Sequence, residues 1–125
     1  LNLVLDAGAL IAIDRDDRRM AGLIELGRRA GASLVTAAPV IAQAWRGGGR
    51  QARLARLLPM TEIRTTGLRE ARAASELLAA SGATDVVDTL VVLAAVPGDQ
   101  IITSEPADLR TLVAHRAIPV TVVHI

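Results

Sequence analysis

The sequence predicts an α/β domain in which a mostly parallel sheet is covered by helices on both faces. Strand-length aliphatic runs alternate with helical patterns along the chain, and that alternation is the signature of β/α units with parallel strands. Apolar residues make up 51%, almost all of them Ala, Val, Leu and Ile, with Trp45 the one aromatic. Inner strands of parallel sheets are aliphatic in this way. The opening run Leu1-Asn2-Leu3-Val4-Leu5 stops at Asp6, small residues follow, and an apolar pattern resumes. A buried strand that turns into a helix at an acid places that acid at the carboxyl edge of the sheet, where open α/β sheets form their sites. The 125 residues are read as a single domain, 1–125, with one buried core.

Residues 1–5 read as the first strand and residues 9–13 as a short helix, broken by the polar cluster at 14–19. Asp16 or Asp17 can cap a second helix running to about Ala30, whose Met20, Leu23, Ile24 and Leu26 mostly recur at helical spacing; Gly31 stops it. Residues 33–36 form a short second strand. Pro39 fits the first turn of a third helix carrying Val40, Ile41, Ala44 and Trp45, which Gly47-Gly48-Gly49 ends. A fourth helix takes 51–58 and is closed by Pro59, and 61–64 is a weak strand. Residues 67–81 form a helix with Leu68, Ala71, Ala74, Leu77 and Leu78 inward, capped by Gly82. The strongly apolar stretch 84–96 reads as a central helix. After the turn Pro97-Gly98-Asp99 come a strand at 100–103, a helix at 106–115 and a last strand at 120–123.

Composition narrows the chemistry. Cysteine is absent, so thiolate catalysis and disulfides are excluded, which fits a reducing cytoplasm. No basic-then-apolar leader is visible and no apolar run is long enough for a bilayer, so no membrane role is expected. The formal charge is only +1, but all 14 cations are Arg. Each can fork onto phosphate or carboxylate, and none can serve as a lysine base. No glycine-rich phosphate loop of dinucleotide or Walker type is present. His115 and His124 lie far in sequence from the acids and read as surface or sheet-end residues.

Acids occupy three comparable places. Asp6 ends the first strand; Asp85 and Asp88 sit three apart at the start of the central helix; Glu105 and Asp108 sit three apart after the strand 100–103. In a parallel sheet, strand ends and the helix starts that follow share one edge, so all five can face one cleft. Either helical pair alone fits capping as well as function. Asp6 ends a buried strand, where no cap is needed. Two carboxylates about 4 Å apart repel by roughly 4 kcal/mol at an effective dielectric near 20, more than the helix dipole returns. Such a cleft protonates in part or binds a cation, and hard oxygen donors point to Mg²⁺ or Mn²⁺. A cation so held activates water for phosphodiester hydrolysis.

Arg46, Arg50, Arg53 and Arg56 follow at steps of four, three and three. If the glycines leave the helix unbroken, they form one basic face. Alone, that face is as simply a solvated one; beside a metal cleft it points to RNA or DNA. Trp45 beside Val40 and Ile41 reads as core or interface in preference to a base-stacking platform.

Three stretches in order, Val4-Leu5-Asp6-Ala7-Gly8-Ala9-Leu10, Thr84-Asp85-Val86-Val87-Asp88-Thr89-Leu90 and Ile102-Thr103-Ser104-Glu105-Pro106-Ala107-Asp108-Leu109, resemble the acidic motifs of PIN domains, most nearly those of VapC-type toxins of toxin–antitoxin pairs. The resemblance implies a three-layer α/β/α sandwich and a Mg²⁺- or Mn²⁺-dependent endoribonuclease that cuts RNA such as tRNA or rRNA. It also implies a homodimer, and inhibition by a VapB-type antitoxin whose C-terminal peptide enters the cleft, often with an Arg that meets the carboxylates. Matched by motif, Asp6 is the first acid, Asp88 the helix acid and Glu105 the acid after the fourth strand, with Asp85 an additional acid. Asp108 would help complete the site. The sequence departs from the pattern at Gln43, where the family commonly has Glu, at Glu105, usually Asp, and at Gly8, often Ser or Asn. Gln43 supplies no charge and would orient a water or the substrate. A PIN-like module that binds RNA or a partner without cutting is the alternative. A receiver-type signalling domain also carries acids at a sheet edge, but similar domains rely on a lysine and this chain has none.

Overall fold

The apolar run at the start of the chain becomes the central strand. The computed structural model describes all 125 residues. Strand β1 (Asn2–Leu5) is followed by helices α1 (Ala7–Asp14) and α2 (Arg18–Arg29), β2 (Ser33–Ala37), α3 (Ala38–Ala44) and α4 (Ala52–Leu57). Then come β3 (Thr61–Arg64), α5 (Leu68–Ser81), α6 (Val86–Ala94), β4 (Gln100–Thr103), α7 (Pro106–Arg116) and β5 (Thr121–His124). All strand pairs are parallel, in the order β3-β2-β1-β4-β5. Val4 pairs with Val35 on one side and Ile101 on the other, and all three are fully buried.

Helices α2, α3 and α4 each pack on α1, while α5, α6 and α7 pack on one another. Parallel crossovers are right-handed, so these two groups cover opposite faces and the fold is a three-layer α/β/α sandwich. The chain winds outward from β1 through β2 to β3, then returns to β4 and winds the other way. The reversal falls between β1 and β4, the place where open α/β sheets bind ligands. No single helix is long and apolar enough to cross a membrane.

Two polar residues lock the core, and neither was singled out in the sequence. Asp99, read only as part of a turn, is 1% exposed. Its carboxylate accepts hydrogen bonds from Asn2 N (2.9 Å), Asn2 Nδ2 (3.1 Å) and Val96 N (2.9 Å), which ties the start of β1 to the entry of β4. Arg116 reaches from the last turn of α7 to the end of α6, donating to Val92 O at 2.6 Å and to Ala95 O. A cation at a helix C-terminus is favoured by the macrodipole, and this one fixes α6 against α7.

Several element boundaries differ from expectation for local reasons. The first helix begins at Ala7, not at 9, because Asp6 caps it. The central helix spans Val86–Ala94, shorter than 84–96, because Asp85 is its cap and Ala95 turns extended. The fourth helix ends at Leu57, one residue early, and Pro59 follows inside a single 3₁₀ turn, Leu58–Met60. In α5, Ala74 is buried, but Leu68 is 66% exposed and Ala71 is also exposed, so the inward stripe covers only the second half of that helix. Leu26 of α2 is 66% exposed as well.

Candidate functional site

Asp6 stands at the switch point. Its backbone N–H donates to Ile102 O at 3.3 Å, extending the β1–β4 ladder by one residue. Its side chain is 8% exposed and accepts from Ala9 N at 2.9 Å. The expectation that Asp6 needs no capping role is therefore corrected: it caps α1. Burial pushes its carboxyl above the usual aspartate range, against hydrogen bonds from Thr103, Ala9 and Gly8, and the charge of Glu105 adds to the rise. Capping and electrostatic stress thus coexist in one residue.

The two helical pairs resolve differently. Asp85 accepts from Asp88 N at 2.9 Å and caps α6, so its capping reading is correct. Glu105 occupies the cap position of α7 but makes no side-chain cap bond; its own N–H donates to Thr103 Oγ1 at 3.0 Å. Its carboxylate is exposed and uncommitted, as is that of Asp108. Asp88 is half-buried, and burial followed by the charges of Asp85, Asp6, Asp108 and Glu105 raises its carboxyl to about 6. The other four acids therefore all bear on Asp88 across the carboxyl edge of β1 and β4. None of them joins a salt bridge, although the chain has 14 Arg; every ion pair lies elsewhere.

This donor set is all oxygen, anionic and uncompensated, which suits a hard divalent cation. No three acidic or histidine side chains are gathered into a ready-made cage, so side chains would have to turn inward to close one. Gln43 is exposed on α3, which packs on α1 and α6.

The basic stripe is not a continuous face. The glycines break it: Gly47 and Gly48 have φ of 79° and 84°, Arg50 lies in a 3₁₀ turn, and only Arg53 and Arg56 share α4. Arg46 folds back on α3, donating to Ala42 O (3.1 Å) and Trp45 O (2.7 Å), and Arg53 pairs with Asp16 at 3.5 Å. Gln51, not singled out in the sequence, pins the glycine loop by accepting from Arg46 N (2.6 Å) and Gly47 N (2.8 Å) and donating to Ala44 O (2.8 Å). Trp45 is the C-cap of α3 and 37% exposed, so it is not core. His115 and His124 are exposed, as expected.

The chain matches no protein-family model and no curated protein.

Two measurable consequences follow from this geometry. The folded state raises the pKa of Asp88 to about 6, so the folded protein holds that proton more tightly than the unfolded chain. The stabilisation is complete below about pH 4 and is lost as the pH climbs through about 6. In metal-free buffer, Asp88→Asn should therefore gain stability relative to wild type between pH 4.5 and 7, as measured by thermal unfolding; a constant difference would refute the acidic coupling. The second concerns Gly8. A Cβ there would collide with Ser104 Oγ and come within 3.1 Å of Ser104 Cβ and 3.3 Å of its backbone N. Gly8→Ala should cost about 1–2 kcal/mol in urea unfolding, and Ser104→Gly in the same chain should recover most of it.

Proposed function

We propose that this chain is a divalent-metal-dependent endoribonuclease of the VapC kind. The observation that carries the reading is the set of five acids at the switch point, four of them bearing on Asp88 and none paired with an arginine. Asp6 and Asp88 would hold Mg²⁺ or Mn²⁺, with Glu105 reaching in from α7 and Asp85 and Asp108 completing the negative surface. When bound, the cation supplies a polarised water and offsets charge on the phosphate under attack. Asp6 is held rigid by Ala9 N and sets the position of the site. Asp88 is half-buried and Glu105 exposed, so both would be open to an approaching phosphodiester, and Gln43 would orient a water or the substrate. The substrate is RNA, with tRNA or rRNA as candidates, and Arg46, Arg50 and Arg53 would contact its backbone separately, not as one helical face. The unpaired acids also suit an arginine-bearing peptide of a VapB-type antitoxin. A homodimer and a cytoplasmic location complete the proposal.

A second reading, an RNA- or partner-binding module that no longer cuts, is favoured by Gln43, which contributes no charge, and by the absence of a preformed cage. Calorimetric titration with Mn²⁺, run beside an RNA cleavage assay, separates the two. Saturable binding that Asp88→Asn weakens at least about tenfold, together with Mn²⁺-dependent cleavage, is the expected result. RNA binding with neither metal binding nor cleavage would establish the module instead.

A further inference from the structure

One face of α1 is turned toward open space. Gly8, Ile11, Ala12 and Arg15 follow at i, i+3, i+4 and i+7, a single stripe along the helix, and all four line a cavity of about 430 Å³. Asp17, Ser104 and Ile125 complete its wall. A helix apolar on all sides is normally buried; here Ile11 and Ala12 pack against the core yet remain half-buried.

The groove starts at the acids. Gly8 lies two residues after Asp6, and Ser104 immediately precedes Glu105. From Gly8 it runs about 10 Å along α1 to Arg15. That guanidinium is exposed and joins no ion pair, whereas Asp16 pairs with Arg53 and Asp17 caps α2 through Met20 N. Ser104 is exposed, and its Oγ lies against Gly8. The lining thus offers a hydroxyl near the acids, an apolar floor, and a free cation at the far end.

We propose that this groove is the subsite for the nucleotide next to the cleaved bond, with Arg15 on its phosphate, Ile11 and Ile125 against its base or sugar, and Ser104 Oγ on the ribose 2′-hydroxyl. It rests on the reading of the acids as a nuclease site. A fork-shaped guanidinium suits a phosphate, and a hydroxyl partner for the 2′-OH lets the protein prefer RNA over DNA. Gly8 leaves room for Ser104 Oγ beside α1, since a Cβ there would collide with it.

The test is binding of a fluorescein-labelled single-stranded RNA and of its DNA counterpart, by anisotropy over a salt series in Ca²⁺ buffer, with cleavage in Mn²⁺ followed separately. Arg15→Gln should weaken RNA binding at least about fivefold and lower the log–log salt slope by about 0.7. Ser104→Ala should bring RNA and DNA affinities together. Arg72→Gln, on the opposite layer, should change neither. If wild type binds RNA, and Arg15→Gln and Ser104→Ala leave affinity, slope and RNA preference untouched, the subsite is overturned while the nuclease reading stands. If both effects appear but wild type never cleaves, the groove is upheld and the nuclease reading falls. If wild type binds no RNA, both fall.

Discussion

Asp6→Asn is expected to abolish metal-dependent RNA cleavage, lowering kcat by about 100-fold or more, while the protein remains folded. Asparagine is as good an N-cap as aspartate and keeps an oxygen for Ala9 N, so α1 retains its start. What disappears is the charge. A hundredfold loss corresponds to about 3 kcal/mol of transition-state stabilisation, a reasonable share for one anionic contact to a catalytic cation. Because burial already disfavours the ionised Asp6 carboxyl, the neutral amide should leave metal-free stability unchanged or higher. The informative comparison is therefore kcat against unfolding midpoint in the same preparation. Cleavage at the wild-type rate by a folded Asp6→Asn protein would refute the proposed function; loss of both activity and fold would instead reveal a wholly structural Asp6.

The largest stability effect is expected far from the acids, at Asp99. Truncation to alanine leaves Asn2 N, Asn2 Nδ2 and Val96 N without their acceptor. Unsatisfied buried donors cost about 1–3 kcal/mol each, and bonds to a charged group lie at the upper end. The Asn2 amide can turn to water, so a net loss of about 3 kcal/mol is expected, or a fall in Tm of about 10 °C for a domain of this size. Asp99→Asn keeps one accepting oxygen and should fall between the two. Hydrogen exchange should show the loosening first at β1 and β4, the strands this carboxylate joins. An Asp99→Ala protein as stable as wild type would mean that the β1–β4 register is set by side-chain packing alone.

The parts of the molecule legible in its sequence are those governed by local rules. Leu3-Val4-Leu5, Leu34-Val35 and Ile101-Ile102 announce strands because they are short aliphatic runs with turn residues around them. The parallel pairing fits because parallel neighbours need a crossover connection, which the intervening helices supply. The acidic edge was legible too, since a strand end and the next helix start must lie together. Distant pairings were not. Asn2 meets Asp99 and Arg116 meets Val92 across long stretches of chain, and no periodicity encodes such meetings. The covered half of α5 is not legible in the sequence, because Leu68 and Ala71 fit an inward stripe as well as Ala74 does, and only packing against α6 and α7 decides which half is covered. The basic stripe failed because Gly47 and Gly48 take left-handed backbone that a helix cannot continue.

The crowding of Gly8 against Ser104 has an evolutionary corollary. These residues lie at opposite ends of the chain yet occupy one small volume, so neither is free to vary alone. Kindred proteins that gain bulk at the first position should carry glycine at the second, and the two sites should drift as a linked pair. Lineages would then reach the larger residue through the shrinking change first, because the reverse order passes through a protein with a jammed first turn.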